Sequence, residues 1–127
     1  ALGGHKRCET FVTISSPHQG TKTAVLHPGK GTEDMRPGSE FLTHLGNTED
    51  VLEDLPSIAY RTSMDLVIQP TRNAMWERAE NVLIRCPLHA MMSDSEHVRA
   101  DLLPRFQFPK VAPEVRKSMI KGPPHRR

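Results

Sequence analysis

A chain of 127 residues with 36% apolar and 25% charged residues is sized for one folded domain with a modest core, and sits with globular rather than disordered or fibrous sequences. Seventeen basic and fifteen acidic residues leave a net charge of only +2, spread along the chain, which excludes the strong field of a nucleic-acid or anionic-membrane binder. No apolar run approaches the roughly 20 residues that span a bilayer, so neither nucleic acid nor a transmembrane segment is expected.

At the N-terminus, "ALGGHKR" lacks the apolar centre of a signal peptide. The cytoplasm is therefore the default location. It stays open, because the chain begins without Met and reads as starting inside a longer polypeptide. Residues 8–15 (CETFVTIS) are short, rich in β-branched side chains and stopped by Pro17 and Gly20, the pattern of a buried strand running into a loop. The excursion that follows, "KTAVLHPGKGTEDMRPGSEF", is rich in Gly and Pro and shows no sustained period. Ser39 then offers a cap for a turn of helix over 39–45, with Phe41, Leu42 and Leu45 on one side. Residues 50–55 are too short to stand alone, and Pro56 returns the chain to an extended state.

A second strand is predicted over residues 58–63 and a third over 81–86, each closed by a nearby proline, Pro70 and Pro87. From Ser93 the pattern changes to helical spacing, with acidic residues in the first turn, Val98, Leu102 and Leu103 on one face, and Pro104 expected to end or kink the helix. The tail "KGPPHRR" is basic but has no interleaved aromatic for base stacking, so residues 107–127 read as a solvated, Pro-rich terminus. Cys8 and Cys86 match no zinc spacing, and on parallel strands they would lie at opposite ends of the sheet, so both are read as reduced thiols.

Seven histidines raise the question of a metal, yet none falls in an H-x-x-x-H or H-E-x-x-H spacing. No metal and no organic cofactor is expected. His89 differs from the rest by following a predicted strand and a proline, in "NVLIRCPLHAMM", and Asp65 holds an equivalent place in "YRTSMDLVIQP". Loops at the carboxyl ends of neighbouring parallel strands can bring such a pair together, as an imidazole requires if a carboxylate is to fix its tautomer. By spacing alone, an Asp and a His so placed are more often a turn residue and a loop residue.

Four stretches, "FVTISSPHQGT", "GKGTEDMRPGSEFLTHL", "YRTSMDLVIQP" and "NVLIRCPLHAMM", resemble in order and spacing the bacterial α/β-hydrolase lipases and esterases of the class 2 triacylglycerol lipase group. The similarity runs from about Gly3 to Phe106. It implies an α/β fold corresponding to the C-terminal part of an α/β hydrolase, with about three parallel strands, loops and a final helix in residues 1–106. It also implies a carboxylic ester or lipid substrate, Asp65 and His89 as the acid and base of a Ser-Asp-His triad, and Pro17, His18, Gln19, Gly20 and Thr21 as a wall of the substrate pocket. The excursion from 21 to 40, with Val25, Leu26 and Met35, is the expected lining or cover of an acyl pocket, or else an ordinary surface loop.

The departure from the family pattern is the nucleophile. In a G-x-S-x-G elbow a strained strand-to-helix turn exposes the serine hydroxyl, and no such motif occurs here: Ser39 follows Gly38 but has Pro37 where the first glycine belongs. No nucleophile is identified, and Ser16 and Ser63 are the serines to suspect. The expectation is a truncated form or fragment of a hydrolase that turns over esters poorly or not at all, whose first strand offers an open edge for self-association or a second chain. The competing expectation is a non-catalytic binding or interaction module.

Overall fold

A computed structural model describes residues 3–107 and divides the chain into two compact units, Ala1–Met92 and Ser93–Arg127. The predicted tail, 107–127, lies outside the described residues apart from Gln107.

In the first unit the β-branched runs form three strands, β1 (Phe11–Ile14), β2 (Ser57–Thr62) and β3 (Glu80–Ile84), in a wholly parallel sheet of order β1-β2-β3. Register is set by Val12 opposite Ile58 and by Tyr60 opposite Val82. The middle strand is covered on both faces. Ile58, Ala59, Tyr60 and Thr62 are all buried, as a central parallel strand requires. Its neighbours, each paired on one side only among the described residues, are less covered.

β1 is shorter than the predicted 8–15 at both ends. At its start Cys8 is the cap of a 3-10 turn over Gly4–Arg7, its N–H donating to His5 O at 3.2 Å, and pairing begins only at Phe11; at its end Ser15, at φ 46°, leaves the extended region immediately after its N–H has donated to Tyr60 O at 2.8 Å. Such a φ is uncommon for a residue with a Cβ, and it swings the chain off the sheet into Ser16-Pro17-His18.

The long excursion between β1 and β2 is more ordered than its composition suggests. It contains a 3-10 turn over Lys22–Leu26, a short helix α1 (Lys30–Asp34), a longer helix α2 (Glu40–Asn47) and a 3-10 turn over Glu49–Leu52. Ser39 caps α2 as its position predicts, its Oγ accepting from Leu42 N at 3.2 Å. α1 was not legible in the sequence. Thr32 holds it locally by donating to Gly29 O at 2.7 Å and His27 O at 2.9 Å.

The second unit contributes the helix α3 (Glu96–Gln107). Of the two outcomes expected at Pro104, an end or a kink, the first does not occur: the proline lies inside the helix. A proline removes one donor, the one that would reach Ala100 O, and Arg105 Nε bonds Asp101 Oδ2 at 2.8 Å across the same turn, tying the segment after the proline to the one before it. No described helix is long and apolar enough to cross a membrane.

Candidate active site

The carboxyl ends of β1, β2 and β3 open onto three loops, and the two chemically interesting loops are tied together where they leave the sheet. Thr62, the last residue of β2, donates from Oγ1 to Cys86 O at 2.6 Å and accepts from Met64 N at 3.3 Å. Two residues beyond β3, Cys86 is thereby joined to β2, and Pro87 follows it directly. The loops bearing Asp65 and His89 thus start from a shared anchor.

Asp65 is 1% exposed, a burial that a carboxylate tolerates only with partners on its oxygens. It has them. Oδ1 accepts from Val67 N and Ile68 N, both at 2.8 Å, in a turn that folds the backbone around its own side chain. Oδ2 lies 2.8 Å from Nδ1 of His89, whose side chain is 31% exposed at the start of a 3-10 turn over His89–Met91. A carboxylate only accepts, so Nδ1–H donates and the lone pair of the imidazole rests on Nε2. A buried acceptor thus orients a partly exposed base. Among the described residues no serine hydroxyl bonds His89, and Ser15, whose Oγ is buried without a hydrogen-bond partner, is not accessible to a substrate.

The segment "SSPHQGT" divides between two places. Pro17 and His18 line a hollow of about 530 Å³, together with Ser16, Thr13 and Phe11 from the β1 side, Phe41, Leu42 and Leu45 of α2, and Trp76. Gln19, Gly20 and Thr21 do not line it. Gly20 and Gln19 are instead bound to the segment after β2, through Asn73 Nδ2 to Gly20 O at 2.8 Å and Gln19 N to Asn73 O at 3.1 Å. Within the excursion, Met35 reaches the hollow, whereas Val25 and Leu26 do not and are 64% and 77% exposed. Neither Asp65 nor His89 lines it.

His18 is fixed on the wall of this hollow by a 3.0 Å contact from Nε2 to Thr13 Oγ1 and by stacking on Trp76 at 5.0 Å with 7° between the rings. Nothing in the sequence set Trp76 apart as its partner. Burial pushes the His18 imidazole below its ordinary 6.5, with the Glu49 carboxylate opposing part of the effect. Between that lowered value and 6.5 the unfolded chain holds the proton that the folded chain refuses, so stability falls as pH drops through this window and is retained above it. Urea unfolding followed from pH 7.5 to 5.5 is expected to show a steeper loss in wild type than in His18→Phe. Equal slopes would exclude His18 as the source.

By fold and site, the chain is a parallel α/β protein with a buried carboxylate bonded to a partly exposed imidazole at the carboxyl edge of its sheet. No family model, no curated protein and no solved structure matches it.

Proposed function

We propose that Asp65 and His89 are the acid and base of a serine carboxylic ester hydrolase of the α/β-hydrolase type. The observation that carries the reading is the 2.8 Å contact between Asp65 Oδ2 and His89 Nδ1, made by residues in the order Asp then His from loops after adjacent parallel strands. The resemblance of four sequence stretches to bacterial lipases and esterases supports the same assignment. In the chemistry this implies, a serine hydroxyl attacks the ester carbonyl, His89 Nε2 takes the proton and returns it to the departing alcohol, and Asp65 stabilises the imidazolium formed between the two steps. Water then repeats the attack on the acyl intermediate, releasing the acid.

The serine is not identified in this sequence. With its imidazole partly exposed, His89 acts directly on water, which makes the turnover of this chain weak but dependent on His89. Hydrolysis of a short p-nitrophenyl ester is expected to exceed the buffer rate in wild type and to fall roughly a hundredfold, the range of a positioned general base, in His89→Ala. Equal rates in the two proteins would overturn catalysis by this chain alone.

They would favour a second reading, which the hollow of about 530 Å³ supports. Its walls are predominantly apolar and exclude the Asp65–His89 pair, so a binding module that uses the hollow would leave the pair as a structural contact only.

A further inference from the structure

Buried hydroxyls that bond two backbone groups of a distant segment act as rivets, and Thr21 is one. It is 4% exposed, and its Oγ1 donates to Val67 O at 2.7 Å and accepts from Gln69 N at 2.8 Å, across 46 and 48 residues of sequence. Its own neighbours strengthen the junction: Lys22 N donates to Gln69 O at 2.9 Å, Thr21 N is spent on Met35 O at 2.8 Å, and Thr23 Oγ1 also reaches Val67 O. The segment held in this way, 67–69, is the one that grips the carboxylate. Val67 N and Ile68 N donate to Asp65 Oδ1, and the Gln69 side chain donates from Nε2 to Asp65 O.

We infer that Thr21 is a positioning residue for the acid and base: by fixing Val67–Gln69 it sets the direction of the Asp65 carboxylate, and through it the tautomer and orientation of His89. The inference rests on reading Asp65 and His89 as a functional pair, but its physical content is separate from ester chemistry. Thr23 does not substitute: its Oγ1 reaches the Val67 carbonyl and, at 2.9 Å, Thr21 Oγ1 itself, whereas Gln69 N has Thr21 Oγ1 as its acceptor. Without that hydroxyl a part-buried N–H loses its acceptor next to the turn that holds Asp65.

The test uses the full chain labelled with ¹⁵N, in wild type, Thr21→Val and Thr21→Ser, with imidazole nitrogen shifts and amide exchange as readouts. Thr21→Val removes the hydroxyl at nearly constant shape. It is expected to lower the population of the His89 Nδ1–H tautomer and to speed exchange at Val67 and Ile68 by roughly tenfold relative to Ala59 in β2. Thr21→Ser, which keeps the hydroxyl, should behave as wild type. A wild-type tautomer and unchanged exchange in Thr21→Val, or a Thr21→Ser protein that behaves like Thr21→Val, would overturn the inference. Should Thr21→Val not fold, wild type alone decides: the amides of Val67, Ile68 and Gln69 must open as one unit, and separate opening of Gln69 overturns it. Absence of His89-dependent ester turnover with an intact tautomer response would sink catalysis by this chain alone and leave the role of Thr21 standing.

Discussion

Asp65→Ala is expected to lower the free energy of unfolding by about 3 kcal/mol, the cost of leaving one buried and one part-buried backbone donor without an acceptor and stripping an imidazole of its partner. The donors are Val67 N and Ile68 N, each 2.8 Å from Oδ1; Asp65 and Ile68 are each 1% exposed, so water does not cheaply replace the oxygen lost from Ile68 N. Asp65→Asn separates the structural and chemical roles of the same side chain. Its carbonyl oxygen still accepts from both N–H groups, and the loss is expected to be about 1 kcal/mol, that of a charge-assisted bond becoming a neutral one. Its NH₂, however, now faces His89 Nδ1 and donates to it, which moves the imidazole proton to Nε2 and masks the base. Urea unfolding should therefore rank wild type, Asp65→Asn and Asp65→Ala in falling stability, while ¹⁵N spectra of His89 show the opposite tautomer in Asp65→Asn. A stable Asp65→Ala would mean that the carboxylate is not what shapes the 65–69 turn.

Gly20→Ala is expected to be comparably damaging, for a steric reason. Gly20 has φ +76°, and an added Cβ would lie 2.7 Å from Pro37 N and 2.8 Å from Pro37 Cα, both backbone atoms with no side-chain rotation to escape by. The left-handed conformation costs about 1–2 kcal/mol for a residue with a Cβ, and forced overpacking adds about 1–3 kcal/mol. Gly38 supplies the control. It shares φ +76°, but a Cβ there meets nothing within 4 Å, so Gly38→Ala should show only the conformational cost, about 1–2 kcal/mol. Denaturation midpoints of the two variants measure the difference directly, and equal midpoints would discard the close approach of Gly20 to Pro37 as a constraint. Gly20 adjoins Thr21, so the damage should also appear as faster amide exchange at Gln69.

How much of this was legible depends on the range of the interaction concerned. The strand at residues 58–63 and the one at 81–86 differ from β2 and β3 by one or two residues, because β-branched runs stopped by Pro and Gly carry their own boundaries. The cap at Ser39 is equally local, a hydroxyl bonding an amide three residues on. At Pro104 the expected helix end did not occur, for the complementary reason. A proline's intrinsic preference argues against a helix, but the cost of one lost bond is offset within α3 by the residues on either side. The excursion after Gly20 misled: its Gly and Pro content suggested irregular chain, whereas α1 and the flanking turns are held by single threonine and backbone bonds that composition does not register.

The sequence by itself determined a parallel α/β chain with three strands, a capped helix in the first excursion and a final helix, and it placed an Asp and a His in loops after adjacent strands. These follow from properties within a few residues of each position: the stiffness of Val, Ile and Thr, the caps, and the stops at proline. The tertiary structure added the contact itself, bringing the expected pair, His89 and Asp65, to hydrogen-bond distance, and it decided where the other histidine of interest goes. His18, in a segment with two neighbouring serines, goes instead to Trp76 and Thr13, while His89 receives the Nδ1 contact to Asp65. It also decided that Thr21 serves the acid loop rather than the hollow. Both outcomes rest on contacts between segments 24 to 58 residues apart, from the hydrogen bond of Asp65 with His89 to the ring stack of His18 on Trp76, whose partners are fixed by sheet register and loop path and leave no mark on the residues in between.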